Sequence, residues 1–140
     1  QRVATMKIDG GCHCGFITYA AVADPEAVGI CHCTDCQQQS GSAFGMSLVV
    51  NEEDFHLTQG KPKTITSKSA AGRDKLGAFC PQCGTRIFHK TETRKGKVSL
   101  KPGTLDDTQV LKPDIHIWAV SKQPWVTIPE DMEAHEKSPE

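Results

Sequence analysis

Apolar and polar residues alternate along most of the chain. Phe16-Ile17-Thr18-Tyr19-Ala20 and Ile115-His116-Ile117 are two clear cases. In extended backbone, residues i and i+2 share a face, so this period predicts half-buried strands. Ten such segments stand out, at 5–9, 16–22, 27–31, 45–50, 55–58, 64–67, 75–79, 86–90, 97–101 and 115–120. Gly, Pro, Asn and Asp fall between most of them, as hairpin turns require. One short helix is predicted over 34–40, opened by Thr34 or Asp35 and ended by Gly41, with one further turn at 51–54. No repeat and no linker divides the chain. The expectation is one mainly β domain over residues 1–140, with its core at about 5–128 and a polar, loosely ordered tail over 129–140.

Composition narrows the function classes. The chain has 140 residues, 37% of them apolar and 24% charged, with a net charge of -1. That balance leaves no electrostatic footprint for nucleic acid, which is not expected as a partner, or for an anionic membrane. No apolar run approaches the roughly 20 residues needed to cross a bilayer. Residues 1–10 lack the apolar centre of a signal peptide, so the expected compartment is the reducing cytoplasm. The most basic stretch holds Lys61, Lys63, Lys68, Arg73 and Lys75. It reads as a solvated hairpin in preference to an anion-binding loop.

Seven cysteines change the picture most. An odd number cannot pair completely within the chain, and the C-x-C pairs Cys12/Cys14 and Cys31/Cys33 would close very small, strained disulfide rings. Phe79-Cys80-Pro81-Gln82-Cys83-Gly84-Thr85 is a zinc-ribbon knuckle: Pro81 pre-sets the turn, and Gly84 permits the positive φ that aims backbone N–H groups at the sulfurs. A redox C-x-x-C would need a thioredoxin-like βαβ context, which is missing. A knuckle supplies two ligands, whereas a closed structural zinc site takes four. The simplest division assigns Cys12, Cys14, Cys80 and Cys83 to one site. It leaves Cys31, Cys33 and Cys36 as a local set of three, with an open fourth position or with one more side chain filling it. Two zinc ions per chain are expected. By alternation His13 and His32 face away from the metals they flank, while His56, His89 and His135 read as surface or edge residues. His116 reads as an ordinary strand histidine or as a pocket group beside the three cysteines.

Gly-Gly-Cys-His-Cys-Gly at 10–15, Cys-His-Cys-x-x-Cys at 31–36 followed by Ser40-Gly41, and Phe-Cys-Pro-x-Cys-Gly-Thr at 79–85 together resemble the glutathione-dependent formaldehyde-activating enzyme family. Gly103-Thr104-Leu105-Asp106-Asp107, His116-Ile117-Trp118 and Trp125 extend the resemblance to nearly the whole chain. It implies a mainly β, Mss4-like tent of antiparallel sheets with zinc-ribbon knuckles and one short helix. It also implies the same metal division, with Cys12, Cys14, Cys80 and Cys83 structural and Cys31, Cys33 and Cys36 catalytic. The implied activity is that of a carbon–sulfur lyase joining glutathione, or a similar small thiol, to formaldehyde or a related aldehyde.

The chemistry agrees: thiolate-bound zinc is a soft centre that suits a substrate thiol and favours its deprotonation. His116 or Ser40 is expected to handle the proton of the new hydroxyl. The rival is a non-catalytic zinc module that presents its β-surface to a protein partner. A methionine sulfoxide reductase would need a redox cysteine outside both metal sets, and none is spare.

Overall fold

The computed structural model describes residues 4–69 and 72–138. Residues 1–3, 70, 71, 139 and 140 lie outside it, the last two within the expected tail. The architecture is mainly β with one α-helix among the described residues. Strands β1 (Met6–Gly11), β2 (Thr18–Ala23) and β5 (Phe55–Gln59) form an antiparallel three-stranded sheet in the order β1-β2-β5. The longer sheet contains β3 (Val28–Cys31), β4 (Gly45–Asn51), β6 (Lys63–Lys68), β7 (Asp74–Phe79), β8 (Arg86–Thr91), β9 (Lys97–Leu100), β10 (Pro113–Ile117) and β11 (Glu133–Ala134). Its order is β11-β10-β3-β4-β9-β8-β7-β6.

The two sheets enclose the core. Ile8, Tyr19 and Ala21 from the small sheet are buried with Val28, Leu48, Val50, Phe88, Val98 and Leu100 from the large one. Phe55 bridges the layers, with its ring centroid 5.5 Å from Tyr19 and 5.2 Å from Phe88. The Tyr19 hydroxyl is hydrogen-bonded to Thr104 Oγ1 at 2.7 Å. This crossing explains Gly10, whose hypothetical Cβ would sit 2.4 Å from the Tyr19 hydroxyl oxygen. Any side chain there would force the first cysteine motif away from the core.

Alternation sorts the large sheet into two faces with different tasks. Val28, Leu48, Val50, Val98 and Leu100 point into the core. Their neighbours Gly29, Ser47, Val49, Lys97 and Ser99 line a cavity on the other face. The same period therefore packs the protein on one side and furnishes a site on the other.

Helix α1 (Thr34–Ser40) falls where the sequence places it, but its N-cap is Cys33, whose sulfur accepts from the Cys36 N–H at 3.3 Å. A sulfur that is also a metal-ligand candidate thus takes the place of the expected Thr34 or Asp35 cap.

Two expectations change at the C-terminal end. The strand foreseen over 115–120 ends at Ile117, because Trp118 turns left-handed at φ 56 and leads into a 3-10 turn at Ala119–Ser121. The tail foreseen as loosely ordered contributes β11, which pairs parallel to β10, and further bonds run from Ala119 N to His135 O (3.0 Å) and from His135 N to His116 O (2.9 Å). The β3–β10 pairing is also parallel, so the large sheet is mixed where antiparallel pairing was expected throughout. β10 follows a long excursion across the molecule, and such a return permits either strand direction.

Candidate metal centres and their cavity

The first cluster joins two turns that are distant in sequence. Cys12 and Cys14 follow β1, and Cys80 and Cys83 occupy the knuckle between β7 and β8. Their four sulfurs lie within 4.8 Å of one another. Cys12 Sγ is 3.6 Å from Cys14 Sγ, which is 3.7 Å from Cys80 Sγ. All seven cysteines are free thiols. A tetrahedral site with Zn–S near 2.3 Å has sulfur–sulfur edges of about 3.8 Å, so the donor set fits zinc.

Backbone amides are aimed at these sulfurs: Ile17 N donates to Cys12 (3.2 Å), and Gln82 N and Cys83 N donate to Cys80 (3.3 and 3.4 Å). Gly84, at φ 79, lets its own N–H reach Cys80 O at 2.8 Å and closes the knuckle. The Thr85 hydroxyl and N–H hold the Cys83 thiol down to about 5. These donors favour thiolates, the ligand form a metal requires.

The second cluster is local. Cys31 ends β3, Cys33 caps α1, and Cys36 lies in the first turn, with all three sulfurs within 4.8 Å. Among the described residues no His, Asp or Glu side chain joins them within that distance. Hydrogen bonds from Cys31 and Cys36, and from backbone amides, hold the Cys33 thiol down to about 2. The Cys31 thiol is pushed up by the same contact with Cys33. The set therefore already carries a thiolate at neutral pH, and its chemistry also fits zinc.

All three cysteines open onto a cavity of about 660 Å³, whose floor is the polar face of the large sheet. Its lining carries five cations, Arg73, Lys75, Arg94, Lys97 and Lys101, against three acids, Asp35, Asp114 and Glu133. The basic stretch expected as a solvated hairpin is divided accordingly. Lys68 is exposed and paired with Asp74 at 2.6 Å, whereas Lys75 is buried and donates to Gln39 Oε1 of α1 at 3.0 Å.

Sequence reasoning overlooked two residues of this cavity. His89, expected at the surface, is half-buried, and its Nδ1 lies 2.9 Å from Lys101 Nζ. Burial, then the Lys101 charge, lowers His89 to about 2, so the imidazole is neutral and accepts from the ammonium. Burial, then the Arg86 guanidinium, lowers Lys101 to about 8. Their alternation with Phe88 and Leu100, which face the core, was the available signal.

The two proton-handling candidates lie elsewhere. His116 faces away from Ile115 and Ile117, which line the cavity, and its Nδ1 meets His32 Nε2 at 2.8 Å. The two rings stack at 5.1 Å, and burial lowers both pKa values. His32 Nδ1 is buried without a hydrogen-bond partner among the described residues. Ser40 is exposed at the end of α1, where its hydroxyl donates to Phe44 O at 3.1 Å. Neither residue lines the cavity.

Comparison with known proteins decides the family. Residues 7–121 match the family model described as glutathione-dependent formaldehyde-activating enzyme. The chain belongs to this family. The match takes in both cysteine clusters of this glutathione-dependent formaldehyde-activating enzyme domain together with Lys75, His89 and Lys101. A crystal structure of a Rhodobacter sphaeroides protein superposes with a TM-score of 0.58 at 16% identity, covering 71% of this chain and 88% of that one. At that identity the likeness concerns the fold. No curated protein matches the chain.

Proposed function

We propose that this chain is a zinc-dependent carbon–sulfur lyase that activates a small, glutathione-like thiol for addition to an aldehyde such as formaldehyde. One observation carries the reading: a three-cysteine cluster opens onto a cavity with an excess of cations, while a separate four-cysteine cluster joins turns that are distant in sequence. Cys12, Cys14, Cys80 and Cys83 would hold a structural zinc, and Cys31, Cys33 and Cys36 would hold the reactive one. Zinc at three thiolates supplies a soft Lewis acid that lowers the pKa of a thiol entering its fourth position.

The chain's own residues do the remaining work. Cys33 is oriented by the first turn of α1, and that helix is anchored by Gln37, whose amide donates to His32 O (2.9 Å) and Ser121 O (3.0 Å). Lys75, Lys97, Arg73 and Arg94 give the cavity the charge to receive the carboxylates of a glutathione-like peptide. Ser47 and Ser99 offer hydroxyls along the floor. The seven free thiols suit a reducing cytoplasm. No helix among the described residues is long and apolar enough to cross a membrane.

Zinc counted per chain before and after addition of glutathione tests the reading, together with thiol–formaldehyde adduct formation followed by NMR. Two zincs, one responding spectroscopically to thiol after cobalt replacement, and adduct formation above background are expected. Two inert metals would overturn it in favour of a non-catalytic module.

A further inference from the structure

We propose that Lys101 is the acid that protonates the aldehyde oxygen during thiol addition, and that His89 is the positioning residue holding its amine in the cavity. The inference rests on the reading above and deepens it. Addition of a thiolate to a carbonyl leaves negative charge on oxygen, and that oxygen needs a proton donor inside the cavity. Ser40 and His116 do not reach the cavity, and the low pKa of His116 makes it a poor donor. Lys101 lines the same cavity as Cys31 and Cys36.

Lys101 also has an unusual partner. Buried lysines ordinarily meet a carboxylate, which would hold the proton tightly. Here the partner is a neutral imidazole acceptor at 2.9 Å, which fixes the amine without neutralising it. Around Lys101 stand His89 and Arg86 of β8, Lys75 of β7, Cys31 of β3 and Cys36 of α1. The neighbouring cations ease release of its proton. Lys75, the buried amine of β7, is engaged by Gln39 of α1.

The step balances. The thiolate electron pair forms the C–S bond, the C=O π pair moves to oxygen, and that oxygen takes a proton from the Lys101 ammonium. The neutral amine then recovers from water the proton that the thiol released on entering. Nothing is oxidised or reduced, and in the reverse direction the amine removes the hydroxyl proton.

The test uses the zinc-loaded full chain with glutathione and formaldehyde, and follows adduct exchange by NMR. Lys101→Gln is expected to lower the exchange rate about 100-fold or more, the scale of a lost general acid, with zinc content and glutathione affinity unchanged. The wild-type rate should fall on an alkaline limb that is absent in Lys101→Gln and in Lys101→Arg. His89→Leu should lower the rate without changing thiol affinity, and His89→Asn, which keeps an acceptor, should restore most of it. Independently of turnover, the labelled Lys101 side chain should titrate near 8 in the wild-type protein, well below its ordinary value. Lys101→Gln with wild-type rate and pH limb would overturn the inference alone. A wild-type protein without exchange above background would overturn the functional reading as well.

Discussion

The two cysteine clusters use the same ligand chemistry in opposite structural settings. In the first, Cys14 and Cys80 meet across 66 residues, and Cys80 is fully buried. In the second, the three cysteines fall within one strand end and one helical turn, and they face a cavity. A cross-link closing the longer loop lowers the freedom of the unfolded chain by about 4 kcal/mol, against about 2 kcal/mol for the short one. On the proposed division, a metal at the first cluster would therefore stabilise the fold more than one at the second.

Breaking each cluster in turn should give the largest contrast. Cys80→Ala is expected to abolish cooperative unfolding at ordinary temperature, since structural zinc binding is worth about 10 kcal/mol or more and is coupled to folding. Cys36→Ala should lower melting by only several degrees while losing one zinc and all thiol binding. Circular dichroism with metal analysis checks both, and a well-folded, fully loaded Cys80→Ala protein would dissolve the distinction.

A smaller effect concerns acid. His89 on the cavity side titrates at 6.5 when unfolded but at about 2 when folded. The unfolded chain therefore binds more protons between those values, and stability falls as pH drops through 6.5. The loss amounts to at most about 1.4 kcal/mol per pH unit. Denaturant melts of His89→Asn should show a correspondingly flatter dependence between pH 6.5 and 4. An unchanged slope would mean that the buried imidazole does not set the acid sensitivity of this side.

The smallest change sharpens the contrast within the second cluster. A Cβ on Gly45 would stand 3.2 Å from Cys36 Cβ and 3.4 Å from its sulfur. Gly45→Ala should weaken zinc at that cluster by roughly 1 kcal/mol, about five-fold, and leave the first cluster untouched. Competition with a chromogenic chelator reads both sites, and equal weakening of the two would contradict their independence.

The clusters and most strands were legible because their signals are local. Alternation marks β2 and β9, Gly41 closes α1, and the Cys80–Thr85 turn carries its own geometry in sequence. What stayed hidden depends on distant partners. Glu133 and Ala134 resemble a solvated tail until β10 offers an edge in register. Lys75, His89 and Lys101 look like ordinary strand polars until the sheet curves them around one cavity. His116 was placed correctly in a strand, but its face was settled by His32 stacking behind it.

The two-faced sheet has a consequence for how such a domain diversifies. Every floor position (47, 49, 97, 99) is covalently next to a core position (48, 50, 98, 100) yet points the opposite way. Substitution at the floor alters what the cavity admits while leaving the packed layer as it was. Single exchanges at these four positions would therefore reshape the cavity without removing a side chain from the core.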